Sequence, residues 1–241
     1  MTRILVAIPC YDSKPHVLFV DNLISVLAWH SQNAPHLQIE RRFLGRGMID
    51  RVRQQAHEYA LKNKFTHILW WDDDILAPVD VIHKFLLHNK QIVAGMAFQR
   101  TEPYAMCAYR HQPQYGIDNY DRYRSLTEMD IDTGLQQVTA VGTGCMLMQT
   151  DIVKHLQKPW WVWPKTAAED IEFCVMMHKH GVKAYVDTSI HLQHLNFEPR
   201  AVIASTHKQY CKRLKEFVKM NPKFKQDPEY YKMGYLIDAT E

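Results

Sequence analysis

Thr66-His67-Ile68-Leu69-Trp70-Trp71-Asp72-Asp73-Asp74 is a short apolar run that ends in three consecutive acids. Its β-branched and aromatic residues predict a buried strand. In open α/β sheets, ligand sites form at the carboxyl ends of the strands, so these acids stand where chemistry is expected. If the chain stays extended, alternation sends Asp72 and Asp74 to one side and Asp73 to the other. Two carboxylates ~4 Å apart repel by about 4 kcal/mol at an effective dielectric near 20. A divalent cation removes that repulsion, and Mg²⁺ or Mn²⁺ suits oxygen ligands. The plainer alternative is a solvated turn before a helix beginning at Pro78. The position directly after a buried strand favours the metal site.

Working outward from this stretch, strand and helix signals alternate, as in a mostly parallel sheet with helices on its faces. Ile4–Ile8 is the first predicted strand, stopped by Pro9. A helix follows over Pro15–His30 with Phe19, Leu23, Val26, Leu27 and His30 on one face. Leu37–Phe43 is a second strand. Met48–Lys62 is a second helix, with Ile49, Val52, Ala56 and Tyr59 at helical spacing. Beyond the acids come a helix over Pro78–Asn89 and a strand over Gln91–Ala97. Residues 100–137 are polar, tyrosine-bearing and without a sustained period, which marks a long functional loop or irregular hairpin. Val138–Met148 is predicted as one strand interrupted by Gly142 and Gly144. Asp151–Leu156 is predicted as a short helix capped by Thr150. After the loop Trp160-Trp161-Val162-Trp163-Pro164, a helix opens at Glu169-Asp170 and ends at Gly181. Lys183–Val186 is the last strand, leading to His191-Leu192-Gln193-His194.

The 241 residues, 46% hydrophobic and 23% charged, are those of an ordinary globular chain. No apolar run reaches the ~18 residues of a membrane span. A strand begins almost at the N-terminus, leaving no room for a signal peptide. The five cysteines are scattered, which points to a reducing, cytoplasmic setting.

Several short stretches recur in a telling order: Pro9-Cys10-Tyr11-Asp12 after the first strand, Arg51 on the second helix, the acidic strand end, Gly142-Thr143-Gly144, Glu169-Asp170 at a helix start, and His194 downstream. In this order and spacing, residues 3–197 resemble the GT-A-fold glycosyltransferases. The likeness is to their large inverting group, which includes bacterial, viral and phage enzymes. The resemblance implies an α/β, Rossmann-like sheet in a domain over residues 1–197. It also implies a nucleoside-diphosphate sugar as donor, held with Mn²⁺ or Mg²⁺. Pro9, Tyr11 and Asp12 would lie by the base and ribose, and Arg51 by the nucleotide or its phosphates. Asp72 would hold ribose or metal, Asp74 would ligate the metal, and Asp73 would occupy the variable middle position beside the donor. His194 would be a third metal ligand, with His191 as the alternative two residues away. Asp170 would be the base that takes the acceptor hydroxyl's proton. Trp161 and Trp163 would form a sugar platform, with Gly144 and Glu169 also on the acceptor side.

Each of these residues also has a structural reading. Arg51 is equally an exposed helix arginine, the tryptophans equally core packing, the glycines equally a bulge, and Glu169 or Asp170 equally an N-terminal charge. From His207 to Lys225, seven Lys and Arg residues face only Glu216. With Tyr210, Leu214, Phe217 and Val218 at near-helical spacing, residues 198–241 are expected to form a basic helical appendage. Its charged face is either simply solvated or attracts an anionic surface. The acceptor classes compatible with the resemblance are a glycan, a lipid-linked sugar or a modified nucleic acid. The competing functions are a non-catalytic nucleotide-sugar or glycan-binding module and a sugar-nucleotide pyrophosphorylase. The latter normally has a glycine-rich loop after its first strand, and Pro9–Lys14 contains no glycine.

Overall fold

Alternation within the strands decides the architecture. Ile4, Val6 and Ile8 pack into one apolar cluster while Leu5 and Ala7 pack into another. Leu69 and Trp71 likewise separate from Ile68 and Trp70, and Cys145 and Leu147 from Met146 and Met148. Strands that are apolar on both faces must be covered on both faces, and helices provide the cover. A computed structural model describes residues 1–11, 14–101, 104–111, 123–126, 130, 132–164 and 167–195, together with 201, 202, 208 and 212.

The elements in chain order are β1 (Arg3–Pro9), α1 (Val17–Asn33), β2 (Gln38–Leu44), α2 (Ile49–Lys62), β3 (His67–Trp71), β4 (Ile75–Leu76), α3 (Val81–Leu87) and β5 (Ile92–Met96). There follow β6 (Ala108–His111), β7 (Tyr123–Ser125), β8 (Leu135–Val138), β9 (Ala140–Val141), β10 (Cys145–Gln149), α4 (Glu169–Lys179), β11 (Ala184–His191), β12 (Gln193–Leu195) and β13 (Ala201–Val202). The main sheet has seven strands in the order β2-β1-β3-β10-β5-β11-β8. β1 pairs parallel with β2 and β3, and β5 pairs parallel with β11. β10, antiparallel to both β3 and β5, joins the two parallel groups, and β8 closes one edge antiparallel to β11. Five of the seven strands therefore run the same way, which is the expected α/β sheet. α1 and α3 cover one face through Phe19, Leu23, Val26, Val81 and Phe85. α2 and α4 cover the other through Ala56, Ala60, Phe173 and Met177. Burying a side chain as large as Phe19 or Phe173 contributes about 1.5–3 kcal/mol.

The predicted Val138–Met148 strand is a correction. It divides into β8 at the edge of the main sheet, β9 in a separate three-stranded sheet with β6 and β7, and β10 in the sheet centre. Thr139 and the turn at Thr143-Gly144 separate the three. The predicted Asp151–Leu156 helix is a single 3₁₀ turn over Thr150–Val153, and no side chain caps it. The last strand is longer than predicted, reaching His191, and in its polar Asp187-Thr188-Ser189 stretch Asp187 accepts from Ser189 and pairs with His88 at 2.7 Å. Gly181 does end α4, at φ +80°, a conformation that L side chains rarely adopt.

Two connections shape the functional edge. The β11 register shifts between Asp187 and His191, and the chain then runs into β12, which pairs antiparallel with β4. That pairing sets His194 opposite Ile75, immediately after the acids. The Leu195 amide fixes the register by donating to the Asp74 carbonyl at 2.8 Å. The expected appendage over 198–241 lies almost wholly outside the described residues; of its lysines, Lys208 and Lys212 are described, both helical and exposed. Among the described residues no helix is long and apolar enough to cross a membrane.

Candidate active site

The carboxyl ends of β1 and β3 and the N-termini of α2 and α4 converge on one cavity of about 490 Å³, a volume typical of small-ligand sites. Pro9, Tyr11, Asp72, Asp73, Asp74, Trp163, Glu169 and Asp170 all line it. The acids do not alternate as an extended strand would. The chain turns at once, with the Ile75 amide donating to the Asp72 carbonyl at 3.1 Å, and this turn brings all three carboxyls to the same cavity.

At the centre lies Arg53, 2% exposed. Its Nε donates to Glu169 Oε1 and its Nη2 to Asp72 Oδ1, each at 3.1 Å. Its guanidinium also stands 5.3 Å from the Trp70 ring centroid. Burial disfavours the guanidinium charge, but Asp72, Glu169 and Asp170 outweigh that and raise its pKa. Arg53 thereby locks α2, the end of β3 and the start of α4 together. Arg51, expected near the donor, is exposed and does not line the cavity; Arg53, two residues on, takes the inward position. Sequence reasoning missed it because the buried face of α2 is Arg53, Ala56, His57 and Ala60, a stripe that carries two polar residues.

Asp74 is held from two sides. Its Oδ2 lies 2.9 Å from Arg100 Nη1 and 3.5 Å from His194 Nε2. Burial alone would raise the Asp74 pKa, but His194 and Arg100 prevail and hold it below the ordinary value. His194 Nδ1 stands 2.7 Å from the Phe98 carbonyl oxygen. A carbonyl only accepts, so Nδ1 donates to it, while Nε2 faces the Asp74 carboxylate. A histidine with its tautomer fixed from behind is how metal-ligating imidazoles are prepared. The mixed carboxylate–imidazole pair fits Mn²⁺ better than Mg²⁺, which prefers oxygen alone. Asp72 spends one oxygen on Arg53, and among the described residues no group of three or more His, Cys, Asp or Glu side chains is gathered to hold a metal. His191 is exposed at the end of β11, and the histidine beside Asp74 is His194. Asp73 has its pKa raised, chiefly by burial and further by its acidic neighbours, against a hydrogen bond from Cys10.

Asp170 sits at the first turn of α4. It accepts from the Ile171 amide at 2.8 Å and, weakly, from the Thr143 amide at 3.4 Å. Burial and the adjacent Glu169 push its pKa up to about 6, against the pull of Arg53. A Cβ on Gly142 would meet Cys107 at 3.1 Å and approach Asp170 Oδ2 at 3.6 Å, so this glycine keeps room around the carboxyl. A Cβ on Gly144 would press on Ile75 at 3.2 Å and stand 3.8 Å from Asp72 Oδ2, so its bareness lets β10 pass β4 and keeps room beside that carboxyl.

Trp161 is also a correction. It is buried, stacked on Phe173 at 4.0 Å and edge-on to Trp70 at 5.1 Å, and its Nε1 donates to His57 Nδ1. No face of it is left for a sugar. Trp163, 54% exposed and on the cavity wall, has the open ring. Glu169 lines the cavity as the partner of Arg53. Tyr11 is exposed, with the Arg46 guanidinium 5.1 Å from its ring centroid. Asp12 lies outside the described residues. Arg46 and Arg100 carried no signal in the sequence, since both sit just beyond strand ends in stretches without periodicity.

No family model matches the sequence, and no curated protein matches it significantly. Among solved structures the chain is similar to A197 from STIV, at 15% identity over 84% of this chain and 94% of that one, with a TM-score of 0.55. It is also similar to GalNAc-T7, solved with UDP, GalNAc and Mn²⁺, at 11% identity and a TM-score of 0.52; the match covers 95% of this chain but 52% of that one. The fold is of the GT-A type. This chain thus spans about half the length of GalNAc-T7, and at such identities the likeness concerns the fold, leaving the chemistry to the residues of the cavity.

Proposed function

We propose that this GT-A chain is a metal-dependent glycosyltransferase. It would move a sugar from a nucleoside-diphosphate donor to an acceptor hydroxyl, with inversion at the anomeric carbon. The observation that carries this reading is that Asp74, with His194 set against it from β12, and Asp170, whose pKa is pushed up to about 6, stand on one site, both carboxylates lining its cavity. The ligands of GalNAc-T7, UDP, GalNAc and Mn²⁺, support the same ligand class here.

Asp74 and His194 would hold the cation, with Asp72 beside them, and phosphate oxygens of the donor and water would complete its coordination. When bound, the cation supplies Lewis-acid stabilisation of the charge that develops on the departing diphosphate. Pro9 and Tyr11 form the wall on which the nucleotide rests, while Trp163 offers a flat apolar face to a sugar ring. Asp170 takes the proton from the acceptor hydroxyl as the acceptor oxygen bonds to the anomeric carbon. The bond from that carbon to the diphosphate breaks, and its electron pair leaves with the nucleoside diphosphate. A base with a pKa near 6 is largely ionised at neutral pH yet more basic than an ordinary aspartate, which suits proton abstraction. Arg53 keeps Asp72 and Glu169 in place and limits how far the Asp170 pKa can climb.

A thermal-shift screen of nucleotide sugars with and without Mn²⁺ tests the reading, because a ligand that binds only the folded state raises its apparent stability. The expected outcome is a shift that requires both ligands in the wild type and vanishes in Asp74→Ala. An Asp74→Ala protein that keeps the Mn²⁺-dependent shift would remove the metal assignment. Retention of anomeric configuration in the product would remove the direct displacement.

A further inference from the structure

A second cavity, of about 310 Å³, lies between α2 and β2, the strand at one edge of the main sheet. Gly45 and Val52 line both it and the candidate active site, so the two adjoin. Buried Ala56 and half-buried Leu44 and Val52 make its walls apolar, Arg42 and Arg46 stand exposed on it, and none of its described lining residues is acidic. The arginines lie over aromatic rings. The Arg42 guanidinium is 3.8 Å from the Tyr59 ring centroid, a stacking distance, and that of Arg46 is 5.1 Å from the Tyr11 centroid. Towards the other end of α2, Arg3 lies 4.7 Å over Phe65, whose ring is 6.1 Å from Tyr59. Arginine and aromatic side chains thus alternate along one side of the molecule. From Gln38 to Arg53 five arginines stand against two acids, Glu40 and Asp50. Glu40 takes one donor of Arg42, Nε, at 3.0 Å in an exposed pair, and such pairs hold weakly in water. Arg46 has no carboxylate partner among the described residues; its Nη2 donates to Tyr11 Oη at 3.5 Å.

We propose that this groove binds a single-stranded nucleic acid, with bases stacked on the guanidinium planes of Arg42 and Arg46 and backbone phosphates paired with their N–H edges. A guanidinium is flat, charged and rich in donors, so it serves an unstacked base and a phosphate together. Resting it on an aromatic ring beforehand reduces the side-chain freedom that binding would otherwise have to remove. Basic groups interleaved with aromatic ones are how sequence-tolerant single-strand sites are built. An acidic glycan would answer the charge but has no flat π-face for the guanidinium planes. A membrane surface calls for protruding apolar side chains beside the basic ones, whereas Leu44, Val52 and Ala56 are recessed. The inference goes beyond the glycosyltransferase reading and stands without it, since the groove needs neither cation nor nucleotide sugar. A strand lying in it runs to the mouth of the candidate active site, where Gly45 and Val52 are shared.

The test follows the fluorescence anisotropy of a labelled oligo-dT of about 15 nucleotides with the full-length protein, without metal or nucleotide sugar. Salt is varied between about 50 and 200 mM NaCl. The wild type is expected to bind, and to bind more weakly as salt rises. The double variant Arg42→Gln, Arg46→Gln changes two exposed side chains, so it should melt as the wild type does. It should bind the strand about 5- to 150-fold more weakly, the loss that goes with one base stack. The slope of log affinity against log salt should shrink by about 1.4 for the two phosphate contacts removed. The double variant Arg42→Lys, Arg46→Lys keeps the charge without the plane, so it should keep the slope and still lose affinity. Absence of binding by the wild type overturns the proposal. So does unchanged binding in the glutamine variant, which would assign the strand to another basic segment. Full affinity in the lysine variant, or displacement of the strand by polyphosphate as readily as by unlabelled oligo-dT at equal phosphate, would mean that the bases are not stacked and overturns it too. Strand binding by a chain that shows no Mn²⁺-dependent nucleotide-sugar shift removes the transferase reading and leaves this one.

Discussion

Asp170 accepts from two backbone amides yet has its pKa raised to about 6, because burial and Glu169 outweigh those donors and Arg53. Two outcomes follow at this residue. Asp170→Asn should leave donor binding nearly unchanged while transfer falls about 10²–10⁴-fold, the usual contribution of a general base. In the wild type the turnover rate should decline tenfold per pH unit below about 6. A transfer rate in Asp170→Asn within twofold of the wild type would end the role of this carboxyl as base. The same shift has a stability sign. The folded pKa exceeds the unfolded value, so stability from this group is present at low pH and is lost as pH rises through about 6. Asp170→Asn should therefore melt higher than the wild type at pH 8, with the difference disappearing near pH 4; melting scans at both pH values decide it. Of the candidate site residues, Asp74 and Asp170 stood out in the sequence because they lie near the end of β3 and at the start of α4, and His194 because it lies downstream of the last predicted strand. Arg53 was not, since a buried arginine looks like a surface residue until its partners Asp72 and Glu169 are known. Nor does sequence separate Trp161 from Trp163: both are tryptophans in a proline-flanked loop, and only Phe173 and Trp70 decide which one turns inward.

At the scale of the element, α2 is the helix that ties the site to the core, and His57 pins it from below. His57 Nε2 lies 2.9 Å from the Thr150 carbonyl oxygen, and Nδ1 accepts from the Trp161 indole. With both nitrogens committed and the ring buried, the neutral form is enforced, and burial pulls the pKa down to about 4. Here the folded pKa lies below the unfolded one, so the unfolded chain binds the extra proton. Stability is then full above about 6.5 and is lost as pH falls towards 4. At pH 5 this single group should cost on the order of 2 kcal/mol relative to pH 7.5. His57→Gln should lower the baseline stability by about 1–3 kcal/mol through imperfectly satisfied partners, yet remove that pH-dependent loss. Urea unfolding at pH 7.5 and pH 5 gives both quantities, and an unaltered pH dependence in the variant would assign the acid sensitivity elsewhere. Periodicity located α2 and its neighbours to within a few residues because apolar stripes are long in helices and in doubly covered strands. It failed across 138–148, where short strands enter two sheets and the pairing partner, invisible in sequence, decides which residues belong together.

Across the whole molecule, the cavity is assembled from parts that the chain visits far apart. The ends of β1 and β3 and the starts of α2 and α4 line it at one edge of the sheet, and the β12 segment beyond the β11 register shift reaches that edge by pairing with β4. Parallel topology makes this meeting possible, since strands that run the same way expose their carboxyl ends together. The expectation of a sheet with ligands at that edge was therefore available from alternation and element order alone. What was not available was β4: two residues long, it is too short to carry a pattern, yet its pairing with β12 brings His194 to Asp74. A ligand that bridges Asp74 and His194 should tighten this junction more than the rest of the sheet. In hydrogen exchange, Mn²⁺ with a cognate nucleotide sugar should slow the amides of Asp72, Ile75 and Leu195, which donate to Gly144, Asp72 and Asp74. The amides of α1, packed on the far side of β3 from Arg53, should change little, because local opening there does not involve the cavity. Asp74→Ala should abolish the selective protection while leaving the exchange of α1 as it was. Protection spread evenly over the molecule, or confined to α2, would mean that the ligand is not held through Asp74 and His194.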